Sequence, residues 1–206
     1  MRRPALALIG LSVTAVVAAG CGSSSSDSAS KPDAPKLDAP ATAKPALQAP
    51  NITLPDSNGK LVRLSDYRGK SVLLLFIYSH CPDVCPIMVG NLHAALEQMT
   101  PAQRAKTQIV AVSVDPKGDT PTAVNKFLKA HDMTGRMEYL IGSKADLEQV
   151  WRAYDIQVQA SPEDREQVGH SAFVYGITGQ GNELALYPAN FKPQWIVHDA
   201  PLLASA

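Results

Sequence analysis

Cys81 and Cys85 lie four residues apart in the stretch Phe76-Ile77-Tyr78-Ser79-His80-Cys81-Pro82-Asp83-Val84-Cys85-Pro86. The apolar run Val72 to Ile77 just before them reads as a buried strand. From Val84 to Met99 the apolar residues Met88, Leu92, Ala95, Leu96 and Met99 recur at helical spacing. A strand therefore passes into a helix across the cysteine turn. A spacing of four on the first helical turn puts both sulfurs on one face. The positive end of the helix lowers a thiol pKa and favours thiolate. Two convergent thiolates can close a disulfide or hold a soft metal.

The elements that must position this pair follow from pattern and punctuation. Ile52–Leu54 and Leu61–Leu64 are short strand candidates joined by the hairpin turn Asp56-Ser57-Asn58-Gly59. Ser65 to Lys70 is a turn into the strand Ser71–Tyr78, and the first long helix ends before Thr100-Pro101. Gln108–Val114 is a second buried strand, closed by Asp115-Pro116. Thr120-Pro121 opens a helix that runs to about His131, Tyr139–Ile141 is a short strand or loop, and Ser143 opens a helix to Tyr154. Ile156–Val168 is polar, an excursion or short hairpin. His170–Ile177 and Glu183–Tyr187 are strands around Thr178-Gly179-Gln180-Gly181-Asn182. Pro193 opens a last helix, which Pro201 is expected to kink or interrupt. Strands alternating with helices imply a mostly parallel sheet, with the last hairpin as an antiparallel edge. The expected class is α/β: a thioredoxin-like fold, with a central mixed sheet flanked by helices and an N-terminal β-hairpin extension.

The 206 residues suffice for one ordinary domain with flanking segments, and the zero net charge offers no basic footprint for nucleic acid. Residues 1–20 read as an export leader: Arg2 and Arg3, the apolar run Leu6–Ala19, then Ala18-Ala19-Gly20 before Cys21. Small residues directly before a cysteine look like a bacterial lipoprotein signal, in which Cys21 carries the lipid; Ala18 departs from the usual Leu. Residues 21–50 begin with Ser, Ala, Pro, Lys and Asp and almost no large apolar side chains, and read as a disordered tether to a domain at 51–206. The expected location is extracytoplasmic, anchored to a bacterial membrane through Cys21, in a disulfide-permissive compartment. Of three cysteines, one goes to the lipid and two remain as the pair.

Three stretches together carry a resemblance: Tyr78 to Pro86, then Ser113-Val114-Asp115-Pro116 with Asp119-Thr120-Pro121, and His170-Ser171-Ala172-Phe173-Val174-Tyr175. The chain resembles the Sco/SenC family over residues 51 to 203. These are exported thioredoxin-fold proteins linked to copper delivery to cytochrome c oxidase. The resemblance implies copper ligands Cys81, Cys85 and His170, with copper as the bound metal, and Cys81–Cys85 as the disulfide of the oxidised form. Thiolates select Cu(I), and imidazole suits both oxidation states. From position alone, a lone histidine at a strand start is more often structural; only the matched stretch makes His170 a ligand. Two positions depart from the family pattern: Gly169 stands where Asp is common, and Thr178-Gly179 where Asp-Pro is frequent. His80 neighbours Cys81, but consecutive residues rarely face one metal; Met88 reads as helix core, and His93, His131 and His198 as surface or packing. Asp115, at the sheet edge where sites gather, tunes a cysteine, docks a partner or simply turns the chain before Pro116.

The implied function is a monomeric copper chaperone that passes copper to the dinuclear CuA centre of cytochrome c oxidase subunit II, or to another copper protein. The alternative is a thiol-disulfide oxidoreductase cycling Cys81 and Cys85 on cysteines of the same subunit. A peroxide-reducing site is disfavoured, because Ser79 and Arg68 are poor stand-ins for the residues it needs.

Overall fold

The computed structural model describes residues 36–158 and 172–206. Its elements are strands β1 (Ala41–Gln48), β2 (Thr53–Pro55), β3 (Leu61–Arg63), β4 (Ser71–Ile77), β5 (Thr107–Ser113), β6 (Met137–Leu140), β7 (Phe173–Ile177) and β8 (Asn182–Pro188). The helices are α1 (Val84–Gln98), α2 (Pro101–Ala105), α3 (Pro121–Ala130), α4 (Lys144–Ala153) and α5 (Pro193–Ser205). The main sheet has the order β1-β8-β7-β4-β5-β6; β4–β5 and β5–β6 are parallel and the other pairings antiparallel. The expected mixed α/β sheet is present, and β2–β3 form a separate two-stranded sheet.

Every residue of β4 is buried, which explains the apolar run from Val72 to Ile77: strands flank it on both sides and α5 packs against it. The β2–β3 turn closes as its residues predict. Asp56 Oδ1 accepts the backbone N–H groups of Asn58 and Lys60, both at 2.8 Å, and Gly59 takes φ +85°. Thr100, Thr120 and Ser143 cap α2, α3 and α4 by accepting the N–H group three residues on.

Three expectations need correction. The tether was expected to reach residue 50, but Ala41–Gln48 is a strand on the outer edge of the main sheet, paired with β8. Its composition is poor in large apolar residues because it lies on an edge. Backbone pairing holds it, and Pro45, without an N–H, falls where the register shifts between Thr42 and Leu47. The sheet is less parallel than expected, since β7 enters it beside β4 rather than at an edge. Beyond the first long helix, Pro101–Ala105 form α2, because Thr100 and Gln103 close a reciprocal capping box. Finally, α5 continues through Pro201; the buried Ile196, Ala200 and Leu203 hold both halves against the core.

Candidate functional site

The strand β4 delivers the chain to the cysteine turn at its C-terminal end, beside the C-terminal end of the parallel β5. Tyr78 is buried and its carbonyl accepts the N–H of Cys81 at 3.2 Å. Cys85 is the second residue of α1. Asp83, in the cap position, makes no side-chain cap bond; the sulfur of Cys81 instead accepts the N–H of Cys85 at 3.3 Å. A cysteine sulfur thus takes the place usually held by a cap oxygen, at the positive end of the helix.

The two sulfurs have different chemistry. Both cysteines are free thiols and both are buried, Cys81 at the rim with 7% exposure and Cys85 with 0%. The Cys81 thiol is pulled down to about 6, first by a hydrogen bond from the Cys85 thiol, then by the N–H groups of Asp83 and Cys85 and the side chain of Tyr78, against the opposing effect of burial. The Cys85 thiol is pushed up by the same bond and by burial, and further by the charge of Asp119. One proton is therefore shared by a pair in which Cys81 is the thiolate and Cys85 the donor.

Asp119 is the functional-site residue that sequence reasoning missed. It lies just before the α3 cap and is 4% exposed. Its Oδ1 accepts the N–H of Ser79 at 2.8 Å; its Oδ2 accepts the hydroxyls of Ser113 at 2.6 Å and Tyr139 at 2.9 Å. The available signal was its place in the second matched stretch, but nothing local marks it as buried. Asp115, by contrast, closes its own loop: Oδ1 accepts the N–H groups of Lys117 at 3.1 Å and Gly118 at 2.9 Å. Its role is the turn.

The remaining sequence candidates separate clearly. His80 is exposed, with Nδ1 at 3.1 Å from the Ser79 hydroxyl. Met88 is fully buried in the core, as expected, and the His131 ring packs on Phe127 at a tilt of 53°, ring centroids 4.5 Å apart. His198 pairs with Asp199 at 2.7 Å. Asp199, fully buried, also accepts the N–H groups of Asp38 and Ala39 and the Tyr187 hydroxyl. Asp38, His198 and Asp199 form the one group of possible ligand donors within 4.8 Å among the described residues, but the Asp199 oxygens are already filled by four donors. This group clasps the N-terminal segment to α5. Cys21 and His170 lie outside the described residues.

The family model described as SCO1/SenC matches residues 40–203. The chain belongs to the SCO1/SenC family. The match starts where β1 starts rather than at residue 51, in line with the corrected boundary. Among curated SCO1/SenC relatives, the bovine mitochondrial protein SCO2 homolog is 32% identical over 135 residues, covering 64% of this chain and 50% of the relative. The chain spans about half the length of such relatives. Among solved structures, Bradyrhizobium japonicum ScoI with copper bound is 26% identical with TM-score 0.64, covering 77% of this chain and 99% of that one. A SCO1/SenC family lipoprotein from Bacillus anthracis is 25% identical with TM-score 0.67, covering 77% and 96%. The thioredoxin-like fold expected for the family is the fold observed.

Proposed function

We propose that this SCO1/SenC protein binds copper outside the cytoplasm through Cys81, Cys85 and His170 and passes it to the CuA centre of cytochrome c oxidase subunit II. The observation that carries this reading is the cysteine turn: Cys85 on the first turn of α1 and Cys81 just before it, with the Cys81 sulfur accepting the Cys85 N–H and its thiol pulled down to about 6, first by its hydrogen bond from Cys85. Paired soft donors of this kind suit Cu(I). Copper bound in the related ScoI structures of Bradyrhizobium japonicum and Arabidopsis thaliana supports the same cargo here. Copper is cargo rather than a resident cofactor. Cys81, at the rim, is the first sulfur an incoming ligand reaches, and Cys85 gives up its proton as the second thiolate forms. His170 supplies a nitrogen donor as the third ligand.

Cys21 carries the lipid that holds the protein at the outer face of the membrane. A relative from Bacillus anthracis described as a lipoprotein supports this placement. Among the described residues no helix is long and apolar enough to cross a membrane.

The unequal pair also favours the thiol-disulfide reading. A low-pKa Cys81 attacks and a protonated Cys85 resolves, the usual division of labour in disulfide exchange. One experiment separates the two: copper binding by the reduced full chain beside His170→Ala. Chaperone function predicts one tightly held copper and a marked loss of affinity, greatest for Cu(II), in the variant. Weak copper binding, or no change on removing His170 while the pair still exchanges with thiols, leaves the oxidoreductase reading in place.

A further inference from the structure

The Asp119 carboxylate sits beneath the cysteine turn, where the three parallel strands end. Ser79 belongs to the turn after β4, Ser113 ends β5, Tyr139 lies on β6, and Asp119 itself leads into α3. Tyr139 Oη also lies 3.3 Å from the carbonyl of Ile77, the last residue of β4, and Trp151 of α4 donates its Nε1–H to the carbonyl of Ser113 at 2.9 Å. The groups bonded to Asp119 each give it a hydrogen, the Ser79 side chain adding to its amide. Ser79 N–H can only donate, and the Ser113 hydroxyl already accepts the N–H of Asp115 at 3.1 Å, which directs its own hydrogen to the carboxylate. The site is built for an acceptor on every side, and a buried acceptor of this kind is costly to leave unmatched.

From Ser79 to Cys81 is two residues, so the Ser79 N–H fixes where the turn leaves β4 and therefore where Cys81 stands relative to Cys85. We propose that Asp119 is the positioning residue of this turn: by holding the Ser79 amide it sets the facing arrangement of Cys81 and Cys85. This rests on the reading that the pair is the working site, for either copper or disulfide chemistry. Asp119 is hydrogen-bonded to neither sulfur; besides its charge, which raises the Cys85 thiol, it acts through the backbone.

The test is metal-free and uses the reduced full chain equilibrated with reduced and oxidised glutathione. In the exchange the two protein thiols lose two electrons and two protons and join as a disulfide, while one glutathione disulfide takes up both and becomes two thiols. The equilibrium constant reports the effective concentration of one cysteine at the other. Asp119→Asn keeps the shape but offers one acceptor oxygen and one NH2 donor where the Ser79, Ser113 and Tyr139 donors need two acceptor oxygens. It is expected to lower that constant about tenfold or more as the turn loosens. Val124→Ala, a core truncation on α3, loses global stability and is expected to leave the constant within about twofold, as a merely structural effect would. A constant within twofold of wild type for folded Asp119→Asn overturns the proposal, as does an equal shift in Val124→Ala. Should Asp119→Asn not fold, exchange of the Ser79 amide in the unchanged protein decides. Protection close to that of core amides is expected; exchange as fast as an exposed turn overturns the proposal. Failure of wild type to bind copper would remove the chaperone reading and leave this result untouched.

Discussion

The split between the two thiols can be tested through the pH dependence of alkylation. With Cys81 held at about 6 against an ordinary value of 9.0, about 90% of it is thiolate at pH 7, whereas an ordinary cysteine is about 1%. The gain in thiolate is thus about 90-fold. Nucleophilicity falls with basicity, and a pKa lower by about three costs about 15- to 30-fold in intrinsic reactivity. The net expectation is a rate about 3- to 6-fold above an ordinary thiol at pH 7, reversed to about tenfold below it at pH 9. The shape matters more than the height: the rate should rise tenfold per pH unit up to about 6 and then flatten. Iodoacetamide labelling of the reduced full chain, quenched in acid and located by mass spectrometry, gives that profile residue by residue. Cys85→Ala removes the largest cause of the depression, so its plateau should move to higher pH. A Cys81 rate still climbing tenfold per unit through pH 8, or first labelling at Cys85, would falsify the assignment. Stability carries the same signature. The Cys81 contribution is complete above 9.0 and is lost as pH falls towards 6, while Cys85, held protonated in the fold, subtracts stability above 9.0. The reduced protein should therefore gain stability from pH 6 towards 9 through this pair.

Three further outcomes are expected. Asp199→Ala strands two buried donors, the Tyr187 hydroxyl and the Ala39 N–H, and should cost about 2–6 kcal/mol in urea unfolding. In a Tyr187→Phe background the same change should cost about 1–3 kcal/mol less, and an unchanged cost would disprove the hydroxyl's share. Gly118→Ala would bring a Cβ to 2.0 Å from Asp115 Oδ2, whose partner oxygen is held by two backbone N–H groups. A loss of about 1–3 kcal/mol is expected, and a loss below about 0.5 would mean the loop yields freely. His198 is raised above 6.5, chiefly by its hydrogen bond to Asp199 and also by the charge of Asp38. Its contribution is complete below 6.5 and disappears as pH rises through the raised value, so the urea midpoint of wild type relative to His198→Gln should fall between pH 5.5 and pH 8.

What the sequence made legible was whatever local pattern controls. The apolar run Val72–Ile77 could only be an interior strand, and the apolar spacing after Val84 only a helix, so the Cys81–Cys85 turn was placed correctly without coordinates. The turn at Asp56–Gly59 and the caps at Thr120 and Ser143 are equally local. Long-range relations were not legible. Thr42 and Leu47 carry no strand signal of their own and become part of a sheet only because β8, about 140 residues later, offers an edge. Asp119 looks like any acidic residue before a helix; its burial depends on Ser79, Ser113 and Tyr139 arriving from three separate elements. Asp115, more conspicuous beside a proline, proved to serve its own loop.

The edge position of β1 has a practical consequence. A shortened chain begun at Asn51, where composition alone would cut, removes the strand that pairs with β8 and strips Asp199 of the Asp38 and Ala39 amides. The strand β8 then presents an open ladder of unpaired backbone donors and acceptors, including those facing Ala41 and Gln48 in the intact protein. Such an edge is a template for pairing with another molecule. Self-association of a fragment trimmed in this way would reflect the missing strand and say nothing about the oligomeric state of the protein itself.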